Sequence, residues 1–304
     1  MITLEKTLAA KPVALKTRLS RLFSFYAVVQ VLAIYAVLSP ILGMQIYNRL
    51  LFIPSPGHNT DSIKDVFTKI ESATHSKFSK RTIISGTNAK LDAWYFEKKD
   101  VPKLFIISHG NGGSIANRIP LIPDLLFAGG SVLMYDYQGY GFSTGEPSVA
   151  ALKQDGLAAY DYARNVLHYE PKDIILYGES LGSGVTTYIA ENRPVAGIVI
   201  QSGFSSLSRA AQDRLLWLRV YPKIAFKDVE FDNEAYLRGK HAPLLWVHGE
   251  IDQTLPITHA EETIAAATEP KKLVVFKGAG HNDIPLLNPK LFATTIGDFV
   301  RTLP

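Results

Sequence analysis

The chain has 304 residues, of which 47% are hydrophobic and 20% are charged, and its formal net charge is +4. These values suit one large globular domain or two small ones, with a buried core, and much of the positive charge lies before residue 22. The absence of cysteine excludes a disulfide framework, a thiolate metal site and a cysteine nucleophile. No basic stripe with interleaved aromatic residues is present, so nucleic acid is not an expected partner.

The first candidate element is an uncharged apolar segment that follows a basic tail, residues 1–21. No charged side chain lies between Leu22 and Asn48, and a helix needs roughly 20 such residues to cross a bilayer. We therefore predict a transmembrane anchor over 22–47, in which Pro40 kinks or ends the helix. A cleaved signal peptide has a shorter apolar core of ~7–15 residues. A buried core helix, the second alternative, would be unusually long and uniformly apolar.

Flanking charge predicts the orientation of this anchor. The basic side chains before it are Lys6, Lys11, Lys16, Arg18 and Arg21. Only Arg49 follows the segment closely, and positive flanks stay in the cytoplasm. We therefore expect a single-pass membrane protein with a cytoplasmic N-terminus, a lipid bilayer as partner and the large domain on the non-cytoplasmic side.

Residues 48–78 contain Pro54, Pro56 and Gly57 among scattered polar groups, and they are predicted to form a linker. In the remaining chain, 79–304, short apolar runs typical of buried strands alternate with segments of helical periodicity. The predicted strands are 81–85, 91–96, 104–108, 132–136, 174–177, 197–200, 244–248 and 273–276. The predicted helices are 115–128, 148–167, 181–192, 257–268 and 288–302.

This alternation predicts an α/β fold with a mostly parallel sheet and helices on both faces. In such sheets, ligands bind at the carboxyl ends of the strands. Residues 203–241 interrupt the alternation, because they contain mixed apolar and basic residues and no core strand. We predict that this insertion forms a short helical lid.

A G-x-S-x-G motif, Gly178 to Gly182, follows one predicted strand and opens a predicted helix. In that context the motif predicts a nucleophile elbow with Ser180 as the nucleophile and with Gly178 and Gly182 as small supporting residues. The alternative is a dinucleotide-binding turn, since Gly184 adds a third glycine. That reading is disfavoured because the G-x-G-x-x-G spacing is absent.

A serine nucleophile needs a histidine base that is oriented by a carboxylate. In α/β-hydrolase sheets these partners follow the serine in the order acid, then histidine. Asp252 and His281 have this order, and each lies just past a predicted strand. We therefore predict that Ser180, Asp252 and His281 form a catalytic triad.

Other residues compete for the acid and base roles. Glu250 and Asp283 are rivals for the acid. His248 also ends a strand, but its place before a glycine favours structural support of the loop that bears the acid. His259 falls within a predicted helix, and His241 precedes a strand.

Acyl transfer also needs backbone donors for the developing oxyanion. One predicted donor is the N–H of Leu181, directly after the nucleophile. The second is the N–H of Asn111, in the glycine-rich loop after the third predicted strand. In the same loop His109 is expected to be a brace and Gly110 a supporting residue, while a merely flexible glycine turn is the alternative. No metal-ligand spacing is present, so neither a metal nor another cofactor is expected.

Five blocks of this sequence resemble the membrane-anchored α/β-hydrolase-domain serine hydrolases, the group of the bud-emergence hydrolases and α/β-hydrolase domain-containing protein 13. The blocks are Leu50–Pro54, His109–Gly113, Asp136–Ser143, Gly178–Gly182 and His281–Asp283. The resemblance implies the same triad and the hydrolysis of an ester, thioester or amide. It also shows a departure, because Gln138 stands where the group usually has arginine, which puts a local ion pair or substrate contact in doubt.

The sequence therefore predicts a membrane-anchored serine hydrolase that cleaves carboxylic esters, with acyl or lipid-like small molecules as substrates. A protein thioesterase of the depalmitoylase kind is the runner-up. A serine peptidase is a further alternative, although no acidic pair for an α-amino group is evident. A non-catalytic membrane scaffold is the alternative from another class.

Overall fold

The computed structural model describes residues 11–42, 44–57, 63–86, 88–222, 224–226 and 231–304, without the side chains of 11–23 and 44–46. The chain divides into two units, Met1–Tyr47 and Asn48–Pro304. Helices α1 and α2 span Lys11–Val37 and Met44–Leu51. Between them, Leu38 to Leu42 form turns, so the helix ends before Pro40, as its missing N–H and fixed φ require.

The predicted transmembrane helix over 22–47 is not confirmed. In the part of the chain whose side chains are described, no helix combines the length and the apolar character needed to cross a membrane. The first helix also begins ten residues earlier than residue 21, where the basic tail was predicted to end, and it stops at Val37.

Eight strands form one sheet in the second unit. They are β1 (Ser76–Ile84), β2 (Lys90–Lys98), β3 (Lys103–Ser108), β4 (Gly130–Tyr135), β5 (Ile174–Glu179), β6 (Gly197–Gln201), β7 (Leu244–Gly249) and β8 (Lys271–Phe276). Their spatial order is β8-β7-β6-β5-β3-β4-β2-β1. Strand β2 runs antiparallel to both β1 and β4, and every other pair is parallel, so the predicted mostly parallel sheet is confirmed.

The helices that follow α2 are separated from one another by strands, turns or loops. They are α3 (Lys64–Thr74), α4 (Leu121–Phe127), α5 (Val149–Asn165), α6 (Gly182–Asn192), α7 (Leu207–Arg214), α8 (Asn233–Leu237), α9 (Thr258–Ala266), α10 (Ile284–Leu287) and α11 (Pro289–Thr302). Each of the five predicted helices therefore contains an observed one.

Alternate residues of a buried strand point to opposite sides of the sheet, so both faces carry apolar side chains. Helices cover both of these faces. Phe105 and Ile107 of β3 belong to one apolar cluster, which α3, α4 and α11 complete. Leu104 and Ile106 belong to a second cluster, which α5 and α6 complete. All four of these β3 side chains are fully buried, and each such burial contributes about 1.5–3 kcal/mol.

The predicted linker over 48–78 is wrong, since it contains helix α3 and the first residues of β1. Helical spacing brings Phe67 and Ile70 to one buried face. The Phe67 ring lies 5.0 Å from the Trp94 ring and 5.3 Å from the Phe96 ring. The charged residues between these apolar positions are the reason that the segment resembles a linker in sequence.

The insertion over 203–241 is helical, as predicted, with α7, a 3₁₀ turn at Leu216–Val220 and α8. Residues 223 and 227–230 lie outside the described chain. Side chains of the insertion contact helix α9. Arg209 forms an ion pair with Glu262 of α9, and the Asp213 carboxylate lies 3.5 Å from the Nε2 of His259, also in α9. The insertion is therefore fastened to the α9 side of the domain.

His259 gives this contact a pH dependence. Burial lowers the pKa of His259 to about 4, whereas an unfolded histidine titrates near ~6.5. In this pH range the histidine is protonated in the unfolded chain but neutral in the folded chain. The free energy of unfolding therefore falls as the pH drops from about 6.5 to 4. We expect His259→Asn, which keeps an acceptor for the Ser205 N–H and hydroxyl, to remove about 1–3 kcal/mol of this loss. Urea unfolding of both proteins at pH 7 and pH 4.5 measures the difference, and parallel losses would contradict the assignment.

Candidate active site

The turn between β5 and α6 holds Ser180 in a left-handed backbone conformation, with φ at +51°. A non-glycine residue there is strained, and such strain is typical of functional turns. The turn requires glycine on both sides. A Cβ on Gly182 would lie 1.9 Å from the Ser108 carbonyl oxygen, and one on Gly178 would lie 2.6 Å from the Gly182 oxygen. Both predicted supporting glycines therefore have a steric reason.

His281 lies in the loop after β8, next to Ser180. Its Nε2 is 3.0 Å from the Ser180 Oγ, and its Nδ1 is 2.7 Å from the Asp252 Oδ2. The Ser202 hydroxyl donates to the His281 carbonyl oxygen at 3.0 Å and holds the loop in place. The structure therefore places the three predicted triad side chains in one hydrogen-bonded row.

Asp252 follows β7, and its carboxylate is buried and saturated with donors. The Thr254 and Leu255 N–H groups donate to Oδ1 at 2.8 and 2.9 Å. Burial alone would raise the pKa of Asp252, but hydrogen bonds from His248 and His281 outweigh it and hold that pKa well below its usual range. The carboxylate therefore stays ionised at any pH near neutrality.

The rival acids have structural roles. The Glu250 Oε2 accepts the Gly278 N–H at 2.9 Å, and the Asp283 Oδ1 accepts the Gly280 N–H at 2.6 Å. Each carboxylate therefore fixes the backbone of the loop that bears His281, and within the described chain neither makes a hydrogen bond to the imidazole.

The other candidate histidines also make structural contacts. His248 is fully buried, and its Nε2 donates to the Leu255 carbonyl oxygen at 2.9 Å, which braces the acid-bearing loop. His241 Nδ1 contacts the Ala242 carbonyl oxygen.

The glycine-rich loop after β3 approaches Ser180 from the side. A Cβ on Gly110 would lie 3.5 Å from the Ser180 Cβ. The Asn111 carbonyl oxygen accepts the Ile53 N–H at 3.0 Å and the Tyr140 hydroxyl at 2.8 Å, and its side chain donates to the Leu51 carbonyl oxygen. Within the described chain, neither the Asn111 nor the Leu181 N–H donates to a protein acceptor. Both N–H groups are therefore available to an oxyanion.

His109 lies beneath this loop and is almost fully buried. Its Nδ1 is 2.8 Å from the Gly110 carbonyl oxygen, and its ring stacks at 4.3 Å on Tyr137. The Tyr137 hydroxyl donates to the His109 carbonyl oxygen at 2.8 Å. These contacts fit the predicted brace, and within the described chain neither ring nitrogen of His109 hydrogen-bonds to the Ser180 hydroxyl.

A cleft of about 480 Å³ opens beside Ser180. Its apolar walls come from Pro120, Leu121, Pro285 and Leu286. Its polar lining includes Asn111, Asn117, Arg118, Glu179, Gln201, Thr254, His281 and Asn282. Of the insertion's described residues, none lines this cleft, so the predicted lid does not cover it there.

Sequence reasoning missed an ion pair in the cleft wall. The Arg118 Nε and Nη2 donate to the two Glu179 carboxylate oxygens, both at 2.9 Å. Glu179 is part of the elbow motif, but nothing in the sequence indicates its partner, 61 residues earlier in a 3₁₀ turn.

Gln138, which stands where the group that this sequence resembles usually has arginine, is not among the residues that line the cleft. Its amide N–H group donates to the Asp155 Oδ1 at 2.7 Å, and its backbone N–H donates to Oδ2 at 2.9 Å. The Ser85 hydroxyl donates to the same carboxylate. Burial raises the pKa of Asp155 although these hydrogen bonds oppose it. A neutral amide therefore occupies a place where an arginine would form an ion pair.

Asn233, also missed from sequence, ties the insertion to the nucleophile turn. It is fully buried, and its Nδ2 donates to the Ser183 Oγ at 3.0 Å and to the Phe204 carbonyl oxygen at 2.8 Å. The Thr187 hydroxyl donates to its Oδ1 at 2.7 Å. The Ser183 hydroxyl in turn donates to the Ser180 carbonyl oxygen at 2.6 Å.

Replacing Asn233 with alanine is expected to cost about 2–4 kcal/mol, because it leaves several buried polar groups without partners. Urea unfolding measures this loss. Asn192→Ala is the matched control, since that exposed side chain makes one local bond to the Tyr188 carbonyl oxygen, and its expected loss is about 0.5 kcal/mol or less. Equal losses in the two variants would contradict the role given to the buried network.

Among the residues that the structure describes, no cluster of three or more His, Asp or Glu side chains could hold a metal ion. The polar groups at the cleft instead supply a hydroxyl, an imidazole, a carboxylate and two free N–H groups. Together they can activate a nucleophile and stabilise negative charge on an attacked carbonyl oxygen.

Comparison with known proteins identifies the family of this chain. A family model described as alpha/beta hydrolase fold matches residues 103–232. A Mycobacterium tuberculosis protein is 32% identical over 263 residues, which cover 83% of this chain and 86% of that protein. The chain belongs to the α/β-hydrolase family. This α/β hydrolase is also 28% identical to a Saccharomyces cerevisiae membrane protein over 214 residues, 68% of this chain and 74% of the relative.

The solved structure of a Pyrococcus furiosus esterase shares the fold of this α/β hydrolase. The two superimpose with a TM-score of 0.67 at 19% sequence identity, over 83% of this chain and 96% of the esterase. The predicted fold class, an α/β-hydrolase sheet with helices on both faces, is therefore confirmed.

Proposed function

We propose that this α/β hydrolase is a serine hydrolase that cleaves carboxylic esters, with Ser180, His281 and Asp252 as its catalytic triad. The observation that carries the proposal is the row of contacts at 3.0 Å from Ser180 Oγ to His281 Nε2 and at 2.7 Å from His281 Nδ1 to Asp252 Oδ2. A base within this distance of a serine hydroxyl, itself oriented by a carboxylate, is the arrangement that nucleophilic acyl transfer needs.

In the proposed reaction, His281 accepts the Ser180 proton as the hydroxyl oxygen attacks the ester carbonyl carbon. The Asn111 and Leu181 N–H groups donate to the resulting oxyanion. Protonated His281 then gives its proton to the departing alcohol, which leaves an acyl-enzyme at Ser180. Water attacks this acyl group with His281 again as base, and the acid is released as Ser180 regains its proton.

The cleft favours an acyl group of modest size beside a polar leaving group. Its apolar side chains, Leu121 and Leu286 among them, suit a hydrocarbon chain, whereas Asn117 and Asn282 lie on its polar lining. A volume of about 480 Å³ accommodates a small ester. The shared fold of the P. furiosus esterase supports the ester rather than the thioester or amide as the first choice.

A fluorophosphonate probe tests the nucleophile directly. We expect the wild type to be labelled at Ser180 and Ser180→Ala to remain unlabelled. Ser79→Ala, at a half-buried serine of the edge strand β1, is the matched control and should label like the wild type. A folded wild type that stays unlabelled would sink the proposal and favour the non-catalytic scaffold.

Substrate class is tested with p-nitrophenyl esters of increasing acyl length, together with thioesters and anilides of the same acyl groups. We expect kcat/KM to be highest for oxygen esters and to rise beyond acetyl before the cleft becomes too short. Higher values for the thioesters would replace the ester proposal with the thioesterase. Activity confined to acetyl would contradict the placement of a hydrocarbon acyl chain against the apolar side of the cleft.

We also propose that the enzyme is attached to a membrane by its N-terminal apolar segment, with the hydrolase domain on the non-cytoplasmic side. The uncharged run from Leu22 to Asn48 and the basic residues before it support this, as does the S. cerevisiae relative named as a membrane protein. Alkaline phosphatase fused to the C-terminus should be active in bacteria. A fusion that is expressed but inactive would overturn the proposed orientation. Release of the protein from the membrane fraction into the supernatant by a salt wash would overturn the proposed attachment.

A further inference from the structure

The ion pair between Arg118 and Glu179 connects two separate parts of the candidate site. Glu179 ends β5 and directly precedes Ser180, so it moves with the elbow that carries the Leu181 N–H. Arg118 ends the 3₁₀ turn after the glycine-rich loop. Its Nη1 donates to the Gly112 carbonyl oxygen at 2.6 Å, next to Asn111. One guanidinium therefore binds both the elbow and the loop.

The pair is largely shielded from water and fixed in orientation. The Arg118 and Glu179 side chains are 12% and 13% exposed, and their two parallel hydrogen bonds hold the guanidinium and carboxylate in one plane. The loop backbone rests against them, because a Cβ on Gly110 would lie 3.0 Å from Arg118 Nη2 and 3.1 Å from Glu179 Oε1. A side chain at position 110 would therefore press on both members of the pair.

The charges of the pair matter for the proposed chemistry. Glu179 lies in the cleft wall beside the nucleophile, where negative charge develops on the attacked carbonyl oxygen. An unpaired carboxylate at this place would oppose that charge, and a poorly solvated carboxylate is costly in itself. Arg118 neutralises the carboxylate while it holds the Gly112 carbonyl.

We infer that Arg118 and Glu179 are positioning residues that hold the Asn111 and Leu181 N–H groups at the spacing an oxyanion requires. This inference rests on the proposed function. The pair acts through the two N–H donors. One donor lies in the loop after β3 and the other in the turn after β5, and these two strands are neighbours in the sheet. Its effect should therefore fall on the transition state rather than on substrate binding.

The experiment compares Arg118→Met, Glu179→Gln and the double variant R118M/E179Q. We expect Arg118→Met to lower kcat about 10²–10³-fold with little change in KM, as for loss of one oxyanion donor. Glu179→Gln should lower kcat less, about 10-fold, since the amide oxygen still accepts from Arg118. The double variant should recover about 10-fold over Arg118→Met, because it removes the uncompensated carboxylate.

A second measurement separates positioning from a merely structural role. The affinity of a trifluoromethyl ketone, which forms a tetrahedral oxyanion on the nucleophile, should fall in each variant by the same factor as kcat/KM. Arg118→Lys keeps the charge but lacks the three-way fork. Should Arg118→Met fail to fold, Arg118→Lys carries the same test with an expected loss of about 10-fold in kcat.

The matched control is Arg193→Met at a second bidentate pair. Arg193 donates to both Asp161 oxygens at 2.9 and 3.0 Å, just after the end of α6 opposite the elbow. Its kcat should equal that of the wild type. Wild-type kcat in Arg118→Met and in Arg118→Lys would overturn the inference alone. A wild type without Ser180-dependent turnover would instead overturn the proposed function.

Discussion

Ser180→Ala is expected to lower kcat for ester hydrolysis by about 10⁶-fold. The reason is that the hydroxyl supplies the only nucleophile that His281 Nε2 reaches within the described chain, at 3.0 Å. Without it, water must attack directly, and only the oxyanion donors and substrate binding still contribute. Those contributions leave a residual acceleration of about 10³–10⁴ over the uncatalysed reaction.

The alanine variant should retain its fold, which makes the kinetic result interpretable. The Ser180 N–H keeps its bond to the Gln201 carbonyl oxygen at 2.9 Å, and its own carbonyl keeps the Ser183 hydroxyl. Stopped-flow and steady-state assays on p-nitrophenyl esters measure the loss, with urea unfolding as the check on stability. A residual kcat above about 1% of wild type in pure, folded variant would assign the chemistry to another group.

The central strands of the sheet were predictable from sequence because they are buried on both sides. The run Leu104 to Ser108 has no exposed residue, so it reads as continuous apolar sequence, and the other central strands do the same. The proximity of the three proposed triad residues was predictable for a related reason. Each of them follows a strand end, and parallel strands bring those ends to one edge. The order of these residues along the chain was therefore enough to predict that Ser180, Asp252 and His281 lie close together.

Helix α3 was missed because its buried face is narrow. Only Phe67, Ile70 and Thr74 point inward, and charged residues stand between them. The eleven-residue helix gains its stability from the rings of Trp94 and Phe96 on a distant strand, not from a periodicity that the sequence displays.

The missed polar residues depend on pairs that are far apart in sequence. Arg118 meets Glu179 across 61 residues, and Asn233 meets Ser183 across 50. Neither pair has a spacing rule, because the two partners lie on different elements whose separation is set by tertiary packing. A single arginine or asparagine in a loop resembles ordinary solvated surface until the fold brings it to a buried partner.

Asp252→Asn is expected to lower kcat by about 10⁴-fold while KM changes little. The carboxylate accepts from His281 Nδ1 at 2.7 Å and so keeps Nε2 free to take the Ser180 proton. An asparagine amide in the same place can present an N–H group to Nδ1, which favours the opposite tautomer. It also withdraws the negative charge that stabilises the imidazolium formed during attack.

The same substitution has a predictable pH signature in stability. The folded pKa of Asp252 lies below its unfolded value of about 3.9, so the ionised carboxylate stabilises the folded state above that pH. This contribution is lost as the pH falls through about 4 toward the lower folded value. Asp252→Asn should therefore be less stable than wild type at pH 7, and the gap should narrow below about pH 4.

Glu250→Gln and Asp283→Asn separate this role from that of the neighbouring carboxylates. Each of these carboxylates binds a backbone N–H of the His281 loop. Their loss should change kcat by less than about 10-fold, since the imidazole keeps its own partner. Parallel pH–rate profiles and urea unfolding from pH 7 to pH 3.5 cover all three variants. A 10⁴-fold loss in Glu250→Gln or Asp283→Asn, with Asp252→Asn near wild type, would transfer the acid role and break the row from Asp252 through His281 to Ser180.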